Sequence, residues 1–153
     1  MKVIFLDVDG VLNNFHTRTV TSDGWCFVDG FLIERLRTLV KASGAKVILS
    51  STWRDGWNRE DESQNELCFI ELRDALREHD IEIFDALPLP LRMRRSIAIR
   101  EFFEKWKGEP IEEFVILDDW NDMEEFTGHL VLTNPRFGLT NDDVAKALKI
   151  LKS

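Results

Sequence analysis

Three apolar runs of strand length are spread along the chain, and stretches with helical spacing separate them. The runs span residues 2–7, 45–50 and 112–119. Strands that alternate with helices form parallel sheets, because each helical crossover returns the chain to the same end of the sheet. The sequence therefore predicts an α/β fold, a doubly wound Rossmann-like parallel sheet with helices on both of its faces.

Caps and apolar spacing predict the elements of the first half of the chain. Residues 11–28 are mixed in polarity and indicate an irregular, hairpin-like flap. Asp29 is suited to cap a helix that ends at Gly44. A charged helix follows the second apolar run and extends to about His79, and residues 81–84 are predicted as a short strand.

The second half continues the alternation of helices and strands. A loop that contains Pro90 leads to a helix predicted over residues 95–107, and a short strand is predicted at residues 129–132. Thr140 is suited to cap a last helix, with Asp143 at the capping-box position. Residues 1–153 are therefore predicted to form a single domain, which suits their number.

Composition and charge limit the kinds of partner that the protein can bind. The formal net charge of −8 repels nucleic acid and anionic membranes at long range, so such a partner needs a local basic patch. No apolar run has the length of a membrane span, and no signal-peptide pattern precedes Asp7. The two cysteines have neither metal-ligand spacing nor a disulfide framework. These features predict a cytoplasmic protein with no membrane partner.

Carboxylates and hydroxyls follow the ends of the three apolar runs. Because ligands bind beyond the carboxyl ends of parallel strands, we expect these side chains to meet at one edge of the sheet. Along an extended chain, Asp7 and Asp9 point to the same side. The predicted site contains Asp7, Asp9, Ser50, Ser51, Asp118 and Asp119.

Crowded carboxylates repel one another unless a cation lies between them. Oxygen ligands without histidine or cysteine favour Mg²⁺ over zinc. Mg²⁺ typically bridges carboxylate and phosphate oxygens, so the substrate is predicted to be phosphorylated. Ser50 and Ser51 supply neutral donors to phosphate, and a strand-end carboxylate can attack phosphorus. Positive charge is available from an arginine cluster near the predicted 95–107 helix, which comprises Arg92, Arg94, Arg95 and Arg100.

These motifs resemble, in order, those of the haloacid dehalogenase-like phosphohydrolase superfamily. The motifs are FLDVDG, VILSSTWR, the arginine cluster and VILDDWND, and they span nearly the whole chain. The resemblance implies a phosphatase in which Asp7 is the nucleophile and Asp9 is the general acid and base. It also implies that Ser50 and Arg95 bind the phosphoryl group. Asp118 and Asp119 would then complete a Mg²⁺ site with Asp7 and Asp9.

Two of the predicted roles, the phosphate-binding arginine and the second acid of the last motif, have alternative residues. Arg95 is preferred because Ile99, four residues further on, suits a position that faces the sheet, but Arg92 or Arg94 can serve the phosphate instead. The second acid of the last motif is either Asp119 or Asp122.

The substrate is the least defined part of the prediction. The flap is too short to fold into a cap domain, so an open site is predicted, which suits a nucleic-acid end, a nucleotide or a small phosphate ester. The segments SSTWR and DGVLN resemble small domains found with RNA-repair enzymes, whereas the net charge of −8 opposes a polynucleotide. Trp53, beside Arg54, is suited to packing or to stacking on a base.

Two other classes compete with the phosphatase. A phospho-receiver domain would carry its acid pair after the first strand and its phosphoacceptor on a middle strand, which is not the order found here. A non-catalytic or regulatory phosphate-binding protein that keeps the same fold is the main alternative. The sequence does not predict an oligomeric state.

Overall fold

A five-stranded parallel sheet forms the centre of the molecule, as predicted. The structure is a computed structural model that describes residues 1–89 and 92–152, so Pro90 of the predicted loop lies outside the described residues. The strand order is β3-β2-β1-β4-β5, which places the first strand in the middle. The strands are β1 (Lys2–Leu6), β2 (Lys46–Leu49), β3 (Ile83–Ala86), β4 (Glu113–Asp118) and β5 (Leu130–Leu132).

Helices cover both faces of this sheet, which confirms the predicted layers. Alternate residues of β1 point to opposite faces, so Ile4 and Leu6 join one hydrophobic core while Val3 and Phe5 join the other. The first core contains residues of three helices and the second contains residues of one. The helices are α1 (Gly30–Ser43), α2 (Leu67–Arg77), α3 (Arg95–Lys105) and α4 (Asn141–Leu151), and α3 is the one in the second core.

The predicted caps are present at the ends of α1 and α4. The Asp29 carboxylate accepts a hydrogen bond from the N–H group of Phe31, and α1 ends at Gly44 in the left-handed region. Thr140 and Asp143 form the reciprocal hydrogen bonds of a capping box at α4. These local patterns fix where both helices begin.

The helix predicted between β2 and β3 is shorter than expected. The charged helix begins only at Leu67, and 3₁₀ turns at Thr52–Gly56 and Glu62–Gln64 come before it. The Asn58 side chain accepts hydrogen bonds from the N–H groups of Glu60 and Asp61, an alternative to helical bonding.

The strand β3 also begins two residues later than predicted. The N–H group of Ile81 donates to the carbonyl of Leu76. Ile81 therefore closes the end of α2 and does not open a strand, and the pairing with β2 starts at Ile83.

A short flap lies between β1 and α1. In the flap an isolated antiparallel bridge joins Val20 to Cys26, which agrees with the predicted hairpin-like segment. No separate cap domain is present among the described residues. None of the helices in the described ranges is long and apolar enough to cross a membrane.

Candidate active site

Strand register brings the first residues of the site side by side. Leu6 pairs with Leu49 of β2 and with Leu117 of β4, so the next residues, Asp7, Ser50 and Asp118, lie in one row. Backbone hydrogen bonds continue this row, from Asp7 N to Leu117 O at 3.0 Å and from Ser50 N to Leu6 O at 2.9 Å. The row lies at β1, where the strand order reverses, which is the usual ligand site of an open α/β sheet.

Three carboxylates meet at this point. Asp7, Asp118 and Asp119 each offer an oxygen, and these oxygens lie within 4.8 Å of one another. Asp7 is 7% exposed and Asp118 is fully buried. Burial, followed by the charge of Asp118, raises the pKa of Asp7 to about 8. Burial also raises the pKa of Asp118. The buried environment therefore disfavours the ionised form of these two acids.

Arg95 is the arginine that reaches the carboxylate cluster. Its Nη1 atom lies 3.3 Å from Asp7 Oδ1 and also contacts Asp118 Oδ2. Its position follows from α3, because Ile99 one turn later is fully buried against the sheet. Arg94 instead pairs with Asp122, at 2.6 Å, and Arg92 is exposed. The contacts favour Arg95 over the other two arginines as the residue beside the acids.

The side-chain contacts also distinguish the two candidates for the second acid of the last motif. Asp119 belongs to the carboxylate cluster, whereas the side chain of Asp122 is 58% exposed and bound to Arg94. The arrangement therefore favours Asp119 beside Asp118.

Asp9 lies apart from the carboxylate cluster of the described residues. The extended strand ends at Leu6, and the N–H groups of Val11 and Leu12 donate to the carbonyl of Val8, so Asp9 is on a turn. The alternation expected for an extended chain therefore does not apply to Asp9.

Two neutral donors orient the Asp9 carboxylate. Asn13 Nδ2 donates to Asp9 Oδ1 at 2.9 Å, and Trp53 Nε1 donates to Asp9 Oδ2 at 3.2 Å. The buried Asn13 also accepts the N–H of Gly10 at 2.9 Å, which holds its own side chain in place. The sequence analysis did not select Asn13, because its burial and its bond to Asp9 are visible only in the fold.

The two serines after β2 differ in their hydrogen bonding. The Ser50 hydroxyl is buried and has no hydrogen-bond partner among the described residues. A buried hydroxyl without a partner is uncommon and is suited to a ligand. The Ser51 hydroxyl accepts the N–H of Trp53 at 3.2 Å, so it caps the 3₁₀ turn that follows.

Arg54 is a buried residue whose partners no local pattern indicates. It is 4% exposed, and its guanidinium donates to the carbonyls of Ser50, Ser51 and Leu87. Burial, together with the charge of Arg95, lowers the pKa of Arg54 to about 10. Arg54 thus ties the segment after β2 to the segment after β3 and fixes the backbone next to Ser50.

Gly10 makes room for the carboxylate cluster, and this leads to a stability prediction. Its φ is +83°, and an added Cβ would lie 2.4 Å from Asp119 Oδ2. Gly10→Ala should therefore lower the free energy of unfolding by more than the roughly 1–2 kcal/mol expected of the backbone alone. Urea unfolding measures the loss. Gly44→Ala is the matched control, because Gly44 has φ +69° but no heavy atom within 4 Å of the added Cβ. Equal losses in the two variants would show that Asp119 does not need this space.

The raised pKa of Asp7 predicts how stability depends on pH without metal. The unfolded value is 3.8 and the folded value is about 8, so the folded state holds the proton more tightly. This contribution to stability is complete below about pH 4 and is lost as pH rises to about 8. Asp7→Asn cannot titrate, so its stability relative to the parent should rise across this window, by at most about 1.4 kcal/mol per pH unit.

Urea unfolding in chelator at several pH values between 5 and 8 measures this difference. The exposed Glu104 gives the control variant Glu104→Gln, which should follow the parent. Parallel curves for the parent and Asp7→Asn would contradict the pKa shift.

The fold and the site together define the class of protein. A parallel sheet with strand-end carboxylates at its switch point, a hydroxyl on the next strand and an arginine at a later helix is the arrangement of a haloacid dehalogenase-like domain. Residues 3–144 match the family model described as HAD domain in Swiss Army Knife RNA repair proteins, and the chain belongs to that family. The predicted resemblance to small domains associated with RNA repair is confirmed. A comparison with curated proteins finds none that matches the chain.

Proposed function

We propose that the chain is a Mg²⁺-dependent phosphomonoester hydrolase that acts through an aspartyl-phosphate on Asp7. The observation that carries this proposal is the buried carboxylate cluster beside the unpartnered hydroxyl of Ser50. Family membership supports a phosphatase-type hydrolase. The proposal adds the metal, the covalent intermediate and the roles of individual residues.

The donor set fits Mg²⁺. Asp7, Asp118 and Asp119 offer hard oxygen ligands, and neither a histidine nor a cysteine belongs to this group of described residues. Burial and the charge of neighbouring carboxylates raise the pKa values of Asp7 and Asp118 despite the nearby Arg95, and a bound cation would offset both effects. These three residues would hold the ion, and Asp9 stays a predicted further ligand. When bound, Mg²⁺ supplies positive charge that stabilises the carboxylates and the phosphoryl oxygens.

In the first step, an oxygen of Asp7 attacks phosphorus and the bond from phosphorus to the ester oxygen breaks. Asp9 gives its proton to that oxygen, which leaves as an alcohol. In the second step, Asp9 takes a proton from water, the water oxygen attacks phosphorus, and the bond to Asp7 breaks. Inorganic phosphate leaves and both carboxylates return to their starting states. The two hydrogen bonds to Asp9 support this role because they fix its orientation.

The remaining residues bind the phosphoryl group. The free hydroxyl of Ser50 can donate to a phosphoryl oxygen, and Arg95, which lies 3.3 Å from Asp7, can neutralise the charge of the group as it transfers. Ser51 keeps its own O–H for donation while it accepts from Trp53.

The substrate we propose is a phosphate ester that reaches an open site: a nucleic-acid end, a nucleotide or a small ester. The short flap supports this breadth, and the RNA-repair context of the family supports a nucleotide component. Free thiols at Cys26 and Cys68 suit a reducing compartment, so we propose the cytoplasm as the location.

Phosphate release from an aryl phosphate tests this proposal. We expect turnover in Mg²⁺ and none in chelator. Turnover that persists in chelator, or that requires zinc alone, would contradict it. Saturable phosphate binding without turnover would instead support the regulatory phosphate-binding alternative.

A further inference from the structure

A cavity of about 400 Å³ opens beside Asp9, and its described lining does not include the carboxylate cluster. The flap, the turn after β2 and the start of α2 form its walls. Its volume lies at the lower end of the range for small-molecule sites. The residues that matter for its chemistry are Asp9, Asp23, Trp25, Cys26, Trp53 and Glu66.

Two indole rings line this cavity, and one of them contacts the candidate acid. Trp53 donates its ring N–H to Asp9 Oδ2 and lies 6.0 Å from the ring of Phe27, so its position is fixed. Trp25 is 70% exposed, which is unusual for a residue of its size. An exposed indole in the same lining as a fixed one is suited to an aromatic ligand.

The flap wall is held in place by contacts with α2. Both carboxylate oxygens of Glu71 accept the N–H of Ser22 at 3.2 Å, and the Ser22 hydroxyl also contacts Glu71. The bridge between Val20 and Cys26 closes the hairpin on which Trp25 lies. Contacts within the protein therefore position this wall of the cavity.

The charge of the lining limits what can enter. Besides the candidate acid Asp9, the carboxylates of Asp23 and Glu66 line the cavity, and the described lining contains neither lysine nor arginine. A group that carries further phosphates would meet repulsion here, whereas an uncharged aromatic group would not.

We propose that this cavity binds the leaving group, and that the leaving group is a single nucleoside. This inference rests on the proposed function, and it narrows the substrate from any phosphate ester to a nucleoside monophosphate. The nucleobase lies against Trp25 and Trp53, and the ester oxygen faces Asp9, which protonates it. The products are the nucleoside and inorganic phosphate. A polynucleotide is disfavoured because each added phosphate brings negative charge towards the carboxylates of Asp23 and Glu66.

Relative kcat/KM values test the specificity. Adenosine 5′-monophosphate should exceed glycerol phosphate by roughly 5- to 150-fold, the range expected from one stacked base. It should also exceed a 5′-phosphorylated oligonucleotide and adenosine 3′,5′-bisphosphate. Trp25→Ala should remove the advantage over glycerol phosphate, mainly through KM. Phe31→Ala is the control, because Phe31 is an aromatic residue of α1 that is 81% exposed and lies outside this lining.

A double variant tests whether the negative charge of the lining excludes further phosphates. Asp23→Asn combined with Glu66→Gln should bring the bisphosphate closer to the monophosphate while the preference over glycerol phosphate persists. Equal use of glycerol phosphate and adenosine monophosphate by the parent, or a preference for the oligonucleotide, would overturn the inference.

A binding test separates this inference from the proposed function. Cys26 is exposed in the cavity, whereas burial raises the pKa of the Cys68 thiol and slows its alkylation. Adenosine alone should protect Cys26 from iodoacetamide, as measured by mass spectrometry, and Trp25→Ala should abolish that protection. Protection without any phosphatase turnover would support the nucleoside site and overturn only the proposed function. Turnover without protection would overturn the nucleoside site and leave the proposed function standing.

Discussion

Asp7→Asn is expected to reduce phosphate release to background, because an amide is a poor nucleophile and the covalent intermediate cannot form. Asp9→Asn should keep slow turnover, lower by about 10²–10⁴-fold, because it removes proton transfer but leaves the attacking carboxylate. The geometry supports this order: Asp7 is in the buried carboxylate cluster, whereas Asp9 lies apart and is oriented by Asn13 and Trp53. Steady-state release at saturating Mg²⁺ measures both effects.

The control for these variants is a remote change from aspartate to asparagine. Asp74 is exposed on α2, so Asp74→Asn should match the parent. Near-normal turnover in Asp7→Asn together with an inactive Asp9→Asn would reverse the assignment of the two roles.

Mg²⁺ is expected to raise the melting temperature of the parent and to have much less effect on Asp118→Asn. A ligand that binds only the folded state stabilises it by about 2.7 kcal/mol at ~100 times its dissociation constant. Asp118→Asn loses one charged ligand, but its side-chain oxygen can still accept the N–H of Trp120. The loss of the contact with Arg95 is offset by weaker repulsion of Asp7, so stability in chelator should stay near that of the parent.

Two further variants show whether Asp119 or Asp122 is the second acid of the metal site. Asp119→Asn should also lose most of the gain from Mg²⁺, whereas Asp122→Asn should keep it, because Asp122 pairs outward with Arg94. Melting curves in Mg²⁺ and in chelator give the gain from Mg²⁺ for the parent and for each of the three variants. If Asp118→Asn were destabilised equally in both conditions, the acid would be structural.

Much of the fold and the centre of the site follow from local patterns. Apolar runs and caps predicted the sheet and the starts of α1 and α4, and parallel register then places Asp7, Ser50 and Asp118 in one row. No long-range contact has to be known for this step, because strand ends align in any parallel sheet.

The parts that sequence reasoning missed depend on contacts between distant residues. The place of Asp9 depends on the turn that begins at Val8, which ends the alternation of the strand. Arg54 binds the carbonyl of Leu87, 33 residues away, and no periodic pattern encodes that contact. The late start of α2 reflects hydrogen bonds that the Asn58 side chain accepts from the N–H groups of Glu60 and Asp61, which compete with helix formation.

Reductive trapping of the intermediate tests the assignment of Asp7 most directly. Borohydride reduces an acyl phosphate to an alcohol, so the protein is mixed with substrate and Mg²⁺, quenched in borohydride, and mapped by peptide mass spectrometry. We expect the reduced residue at position 7 in the parent, and none in chelator or in Asp7→Asn. Reduction at Asp9, or continued turnover with no reduced carboxylate, would contradict a covalent intermediate on Asp7.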